Sequence, residues 1–245
     1  MATLAASANQ IAPSTLFISD LHLSAAEPQI TNTFFYFLDH IATEADALYI
    51  LGDFFESYIG DDDRSAFITS IANALAHFTK TGIPVFLMHG NRDFLIGKSF
   101  EKNSGVILIP DPTLITLYDQ KILLMHGDSL CTDDKSHQRF RKITRNTCVQ
   151  KIFLSLPISF RQKFAKQLRD DSMQYNQKKL SAMMDVNENA VDKALKKFQA
   201  MRLIHGHTHK PMLTEKRIVL DAWHNHGNYL KVNRNGKMEL IDIPF

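Results

Sequence analysis

Five short polar signatures in this chain each follow an apolar run of strand length, and their side chains are the donors divalent cations accept. Asp20-Leu21-His22 follows Leu16-Phe17-Ile18, and Gly52-Asp53 follows the run 47–51. Gly90-Asn91-Arg92-Asp93 follows the run 85–88, and His126-Gly127-Asp128 follows the run 122–125. His205-Gly206-His207-Thr208-His209 follows Leu203-Ile204. The candidate ligands are Asp20, His22, Asp53, Asn91, His126, His207 and His209, with no thiolate among them. That mixed oxygen and nitrogen set favours Mn²⁺, Mg²⁺, Fe²⁺ or Zn²⁺ over a structural zinc site. Seven donors are too many for one tetrahedral ion and suit two neighbouring ions, with Asp53 as the natural bridge. Two cations about 3.5–4 Å apart can clamp a phosphoryl group and activate a water.

The elements that must carry these donors are strands of an α/β sheet, because ligand sites in such sheets lie beyond the carboxyl ends of the strands. Helical spacing is expected over 28–43, with Pro28 in the first turn and Ile30, Phe34, Phe37, Leu38 and Ile41 on one face. A second helix is expected over 64–80, stopped by Gly82, and a third over 188–200. Leu114–Tyr118 and Ile122–Met125 read as a hairpin around Asp119-Gln120, after an order βαβαβ. Late strands are expected at Leu203–His205, Arg217–Ala222, Tyr229–Val232 and Met238–Ile243. His207-x-His209 would present both rings to one face only if that piece is extended. The expectation is an α/β core, 14–132 and 186–245, holding two sheets, with a helical insertion over 133–185 and a leader over 1–13.

The bulk composition narrows the class. Hydrophobic residues make up 44% of 245, enough for one full core with a modest insertion. Net charge is +2, so no global pull toward nucleic acid exists. The insertion 133–185 nevertheless holds twelve Lys/Arg against five Asp/Glu, a local +7, leaving −5 elsewhere. Its apolar run (Ile152, Phe153, Leu154, Leu156, Pro157, Ile158, Phe160, Phe164) lies among Arg139, Arg141, Lys142, Arg145, Lys151, Arg161, Lys163, Lys166 and Arg169. Such a mixture suits an anionic amphiphile or the anionic face of a membrane; a helical hairpin packing its apolar side on itself is the plainer alternative. One interruption, at Pro157, is expected in its helical pattern. Cys131 and Cys148 are too few for a disulfide framework and read as reduced thiols of a cytosolic protein. No basic n-region marks a signal peptide, and no apolar run approaches the roughly 18 residues of a spanning helix.

Taken together, Asp20-x-His22, Gly52-Asp53-x-x-Glu56, Gly90-Asn91-x-Asp93, His126 and Gly206-His207-x-His209 resemble the calcineurin-like metallophosphoesterases. The resemblance implies a four-layer αββα sandwich. It further implies Asp20, His22, Asp53 and His209 on one cation, and Asp53, Asn91, His126 and His207 on the other, both Mn²⁺. Many members carry His directly after the Asn; here that position is Arg92, which cannot donate a proton at neutral pH but can grip phosphate bidentately. That favours a phosphate leaving group and hence a diphosphate bond.

Longer strings, among them Ile59-Gly60-Asp61-Asp62-Asp63, the run 128–134 and Met184-Asp185-Val186-Asn187, resemble the branch of the family that cleaves UDP-2,3-diacylglucosamine in lipid A biosynthesis. This implies water attack on the α-phosphorus, with Asp53, Asn91, Arg92 and His207 catalytic. It also implies head-group contacts from Asn91, Arg92, Asp134, Ser172, Asn176, Lys179 and His207, and a peripheral location on the cytoplasmic face of the inner membrane. Ser172, Asn176 and Lys179 fall at i, i+4 and i+7, on one face of a helix. Trp223 is expected in the core and His224 behind the ligands, while Asp61–Asp63 read either as metal-proximal or as a charged loop. No nucleic acid and no obligate protein partner is expected. The competing readings are another phosphoesterase acting on nucleotides and a metal-bound scaffold without turnover.

Overall fold

The computed structural model describes residues 14–177 and 185–244. Two sheets form its centre. The first contains β1 (Ser14–Ile18), β2 (Ala45–Leu51), β3 (Val85–Met88) and β4 (Ile107–Ile109), joined in parallel. β10 (His226–Asn233) adds antiparallel to β1, and β11 (Met238–Pro244) to β10. The second sheet contains β5 (Thr113–Leu117), β6 (Gln120–Leu124), β7 (Arg202–His205), β8 (Met212–Leu213) and β9 (Arg217–Val219), in the order β5-β6-β7-β9-β8.

Alternation along the strands explains why the sheets stack. Phe17, Leu51 and Met88 from the first sheet meet Ile122, Leu124, Ile204 and Ile218 from the second in one buried cluster. The alternate residues Leu16, Ile18, Leu48, Ile50, Val85 and Leu87 face outward. They pack under α1 (Pro28–Tyr36), α2 (Ala66–Thr79) and α3 (Lys98–Ser104). On the other outer face, Leu123 and Leu203 pack with Val191 and Leu195 of α7 (Glu188–Phe198). The layers are therefore α, β, β and α, as the resemblance implied.

Three local expectations need correction. The helix begun at Pro28 is α-helical only to Tyr36; Phe37–Ile41 widens to a π turn and Ala42–Glu44 tightens to 3₁₀. Consecutive Phe37 and Leu38 are both buried there, and the Phe37 ring packs on Trp223 and Tyr229. A widened turn lets both side chains face the core. Second, α3 and β4 precede the hairpin and add an α/β unit to the expected order. α3 has seven residues and ends at Gly105, φ 74°, so it is too short to show a period. Third, the insertion breaks twice, giving α4 (Lys135–Thr144), α5 (Thr147–Leu154) and α6 (Ile158–Gln177). The additional break is at Asn146, whose side chain accepts from Cys148 N at 2.9 Å and Val149 N at 3.2 Å. Smaller shifts occur at the hairpin, whose turn is Tyr118–Asp119 with both φ positive, and at α7, which stops two residues early at left-handed Gln199.

Candidate di-metal site

The donors stand on the loops that follow β1, β2, β3, β6 and β7. These loops converge because their backbones are held against one another. Asp20 N donates to Gly52 O at 3.1 Å, His22 N to Asp53 O at 3.0 Å, and Gly206 N to His126 O at 2.9 Å. Two glycines permit the approach: a Cβ at Gly90 would come within 2.1 Å of Asp53 atoms, and one at Gly206 within 2.0 Å of Asp20 Oδ2. Asp93, fully buried, accepts from Gly90 N with one oxygen at 2.7 Å and from Phe54 N with the other at 2.7 Å. It thereby fixes the Asp53 loop against the Asn91 loop.

The expected donors gather in two groups. Asp20, His22 and His209 form the first, and Asp53, His126 and His207 the second, with donor atoms of each group within 4.8 Å of one another. In the first, His209 Nε2 is 3.3 Å from Asp20 Oδ1 and 3.4 Å from His22 Nε2. In the second, His126 Nε2 is 3.7 Å from Asp53 Oδ1 and 3.0 Å from Asn91 Oδ1, which brings Asn91 to the same place. His207 and His209 thus fall in different groups, each on left-handed rather than extended backbone. Asp20, His22, Asp53, His207 and His209 all have φ between 47° and 68°. For residues other than Gly this left-handed region costs on the order of 1 kcal/mol each and concentrates at functional sites.

The donor chemistry fits a pair of divalent cations. His126 Nδ1 faces Leu51 O at 2.9 Å, so one proton belongs there and Nε2, turned to Asp53 and Asn91, is the nitrogen a cation would take. Carboxylate and imidazole groups converge in both groups, joined in the second by the Asn91 amide, an arrangement that favours positive charge. Burial opposes ionisation of Asp20, yet the hydrogen bond to His209 and the charges of His126, His209 and His22 hold its carboxyl well below the usual carboxylate range. Burial pushes Asp53 up to about 6 against the pull of His126. Burial lowers His207 to about 3, a neutral ring ready to ligate.

Asp61–Asp63 prove structural. Asp61 caps α3, accepting from Gly97 N and Ser99 N at 2.8 Å each and from Tyr58 OH at 3.0 Å. Asp62 pairs with Arg161 of α6, and Asp63 accepts from Ser65 N at 3.0 Å. Asp134 is buried as the N-cap of α4, accepting from His137 N at 3.0 Å. Ser172 lies on α6, as does Asn176, and Lys179 falls outside the described residues. Trp223 is fully buried, its Nε1 donating to Asn228 O at 2.8 Å, while its backbone N–H donates to Asp20 O at 3.1 Å. The next residue, His224, is exposed and stacks parallel to His22 at 6.3 Å.

The basic block also divides. Arg141 donates to Asp128 at 2.8 Å, Arg145 to Gly90 O at 2.9 Å, and the buried Arg161 to Ile59 O and Asp62; Arg169 meets Glu56. These four arginines are engaged by groups of the protein itself, which sequence composition cannot reveal. Arg139, Lys142, Lys151, Lys163 and Lys166 remain exposed beside Phe140, Ile143, Val149, Ile152, Leu154, Phe160 and Phe164, all at least 38% exposed. Part of the apolar side does pack on itself, the Phe164 ring lying 5.7 Å from Phe153 and 6.4 Å from Phe160, yet much of its area stays open. Sequence reasoning also passed over His137, whose ring lies 5.5 Å from that of His207. No period or motif singled it out.

The family model for calcineurin-like phosphoesterases matches residues 13–211. The chain belongs to that family. As a calcineurin-like phosphoesterase it is 50% identical over 239 residues to a UDP-2,3-diacylglucosamine hydrolase of Pectobacterium carotovorum subsp. carotovorum (strain PC1), covering 94% of this chain and 99% of that one. It is 48% identical to the protein of the same name from Serratia proteamaculans (strain 568), with the same coverage. Among solved structures, a hypothetical protein from Pyrococcus horikoshii OT3 shares the fold at 10% identity, with a TM-score of 0.50 over 95% of this chain and 88% of that one. No helix among the described residues of this phosphoesterase is long and apolar enough to cross a membrane.

Proposed function

We propose that the chain hydrolyses the diphosphate bond of UDP-2,3-diacylglucosamine, water attacking the α-phosphorus to give UMP and 2,3-diacylglucosamine 1-phosphate. The observation that carries this reading is the pair of facing donor groups, complete in a chain about half identical, nearly end to end, to hydrolases of that substrate. Two divalent cations, taken here as Mn²⁺ with Mg²⁺, Fe²⁺ and Zn²⁺ as competitors, would acidify the attacking water and offset charge on the phosphoryl oxygens.

The chain's own residues do the rest. Asp20, His22 and His209 would hold one cation and Asn91, His126 and His207 the other, with the Asp53 carboxylate available to either. Arg92, 34% exposed, carries a guanidinium that can leave its carboxylate partners for phosphate oxygens. It donates no proton, and a phosphate leaving group requires none. Asn91 and His207 stand beside it to stabilise developing charge. Asp134, Ser172, Asn176 and Lys179 are assigned to the head group. We take 14–132 and 186–245 as the core and 133–185 as a lid whose exposed Phe and Ile side chains receive the acyl chains. Its outward lysines then meet the anionic cytoplasmic face of the inner membrane, where this step of lipid A biosynthesis would take place.

Product analysis by mass spectrometry in ¹⁸O-labelled water tests the reaction. Label in UMP is expected; label in the sugar phosphate, or no cleavage with Mn²⁺ present, contradicts it.

A further inference from the structure

A surface helix ordinarily turns an apolar stripe inward and its charges outward. The first helix of the insertion, α4, does the reverse. Gln138, Arg141 and Arg145 fall at i, i+3 and i+7, on one face, and all three are half-buried. Phe140 and Ile143, on the opposite face, are 40% and 56% exposed.

The inward face meets loops that carry the second donor group. Gln138 Nε2 donates to Asp128 O at 2.8 Å and to Cys131 O at 3.0 Å, holding the turn that follows His126. Arg141 Nε donates to Asp128 Oδ2 at 2.8 Å and its Nη2 to Asp111 Oδ2 at 3.4 Å, so one guanidinium offsets two buried carboxylates. Arg145 Nη2 donates to Gly90 O at 2.9 Å and His89 O at 3.4 Å, and its guanidinium lies 5.8 Å from the centre of the Phe94 ring. The Gly90 carbonyl belongs to the peptide unit that ends in the Asn91 nitrogen, so its direction fixes where the Asn91 side chain begins. Asn91 Oδ1 and His126 Nε2, carried by these two loops, meet at 3.0 Å.

Groups that hold a metal's ligands in place change its affinity about 10- to 100-fold when they are removed. We infer that Arg141 and Arg145 are positioning residues: from the insertion, they clamp the Asn91 and His126 loops to one helix and so set the geometry of the second donor group. The first group is held in another way, by backbone bonds from Asp20 N to Gly52 O, His22 N to Asp53 O and Trp223 N to Asp20 O. The insertion is then part of the frame of the site as well as its cover. This rests on the reading that the two groups hold cations.

Arg145→Met removes the donor to Gly90 O, while Arg145→Lys keeps the charge and one donor. Crystals of the full chain equilibrated with graded Mn²⁺ alone give the occupancy of each group from its anomalous peak. In Arg145→Met the peak among Asn91, His126 and His207 should need about 10- to 100-fold more Mn²⁺ than in the wild type, the peak among Asp20, His22 and His209 much less. Arg145→Lys should fall between the two, and Arg139→Met, exposed on the same helix, should change neither peak. Equal weakening of both groups, or the same weakening in Arg139→Met, means general loosening and overturns the inference. Both ions kept, with only KM raised, makes Arg145 a substrate contact and overturns it too. Should Arg145→Met not fold, the two peaks of Arg145→Lys decide by the same rule. A wild-type chain with no peak in either group removes this inference and the function proposed above together. Two peaks in the wild type and an unchanged second peak in Arg145→Met remove this inference alone.

Discussion

Asp93→Asn is the substitution from which the structure allows the most to be worked out. The side chain is fully buried, and its two oxygens accept from Gly90 N at 2.7 Å, Phe54 N at 2.7 Å and, at 3.4 Å, Phe55 N. Asn has the same shape but one acceptor oxygen. Whichever way the amide turns, its NH₂ meets a backbone N–H on one side. A hydrogen bond to a charged acceptor contributes roughly 1.5–3 kcal/mol, and an orphaned buried donor costs roughly 1–3 kcal/mol. The expected loss is therefore about 3–5 kcal/mol, a large share of the roughly 5–15 kcal/mol that holds a domain folded. For a chain of this size, at about 2–4 °C per kcal/mol, the unfolding midpoint should fall by roughly 6–20 °C. Thermal unfolding followed by circular dichroism measures it. A midpoint within about 2 °C of wild type would refute the claim that this carboxylate fixes the two ligand loops together.

Further outcomes follow from the same geometry. Arg161→Met removes the donor to Ile59 O and Leu156 O and the partner of Asp62, whose side chain is 56% exposed and can turn to water. The cost should be about 2 kcal/mol, from the orphaned carbonyls, with faster amide exchange confined to α6 and the loop 56–63. Uniform exchange along the chain would contradict it. Burial alone would lower His126, but the carboxylates of Asp53 and Asp20 outweigh it and raise the ring to about 9. Below that pH the metal-free ring is protonated and a cation must displace the proton. Affinity should thus weaken by up to about tenfold per unit as pH falls from 9 toward 6, with about one proton released at pH 7.5. Calorimetry in buffers of different ionisation enthalpy checks this, and uptake without proton release would contradict it. Replacing Lys179 by Ala should chiefly raise KM, and an unchanged KM removes it from the head-group contacts.

Much of this was legible because each donor follows a strand, and strands announce themselves as short apolar runs. The layering followed from alternation, since residues such as Leu16 and Phe17 pack on opposite faces of the first sheet. Local chemistry hid the rest. α3 and β4 are shorter than the window over which a period shows, and the break at Asn146 was a capping signal masked by the stronger Pro157. Whether His207-x-His209 is extended could not be read from the sequence, because left-handed backbone at non-glycine residues has no sequence signature; only convergence of the loops imposes it. Basic composition gave the charge of 133–185 but not its direction, so Arg141, Arg145, Arg161 and Arg169 could not be told from the outward lysines.

The central claim is that seven side chains from five loops enclose two cations with Asp53 between them. Anomalous diffraction from crystals grown with Mn²⁺ tests it most directly. Two peaks are expected, one among Asp20, His22 and His209 and one among Asn91, His126 and His207, each within coordination distance of an Asp53 oxygen. A single peak, or density that leaves Asp53 out of both coordination spheres, would contradict it.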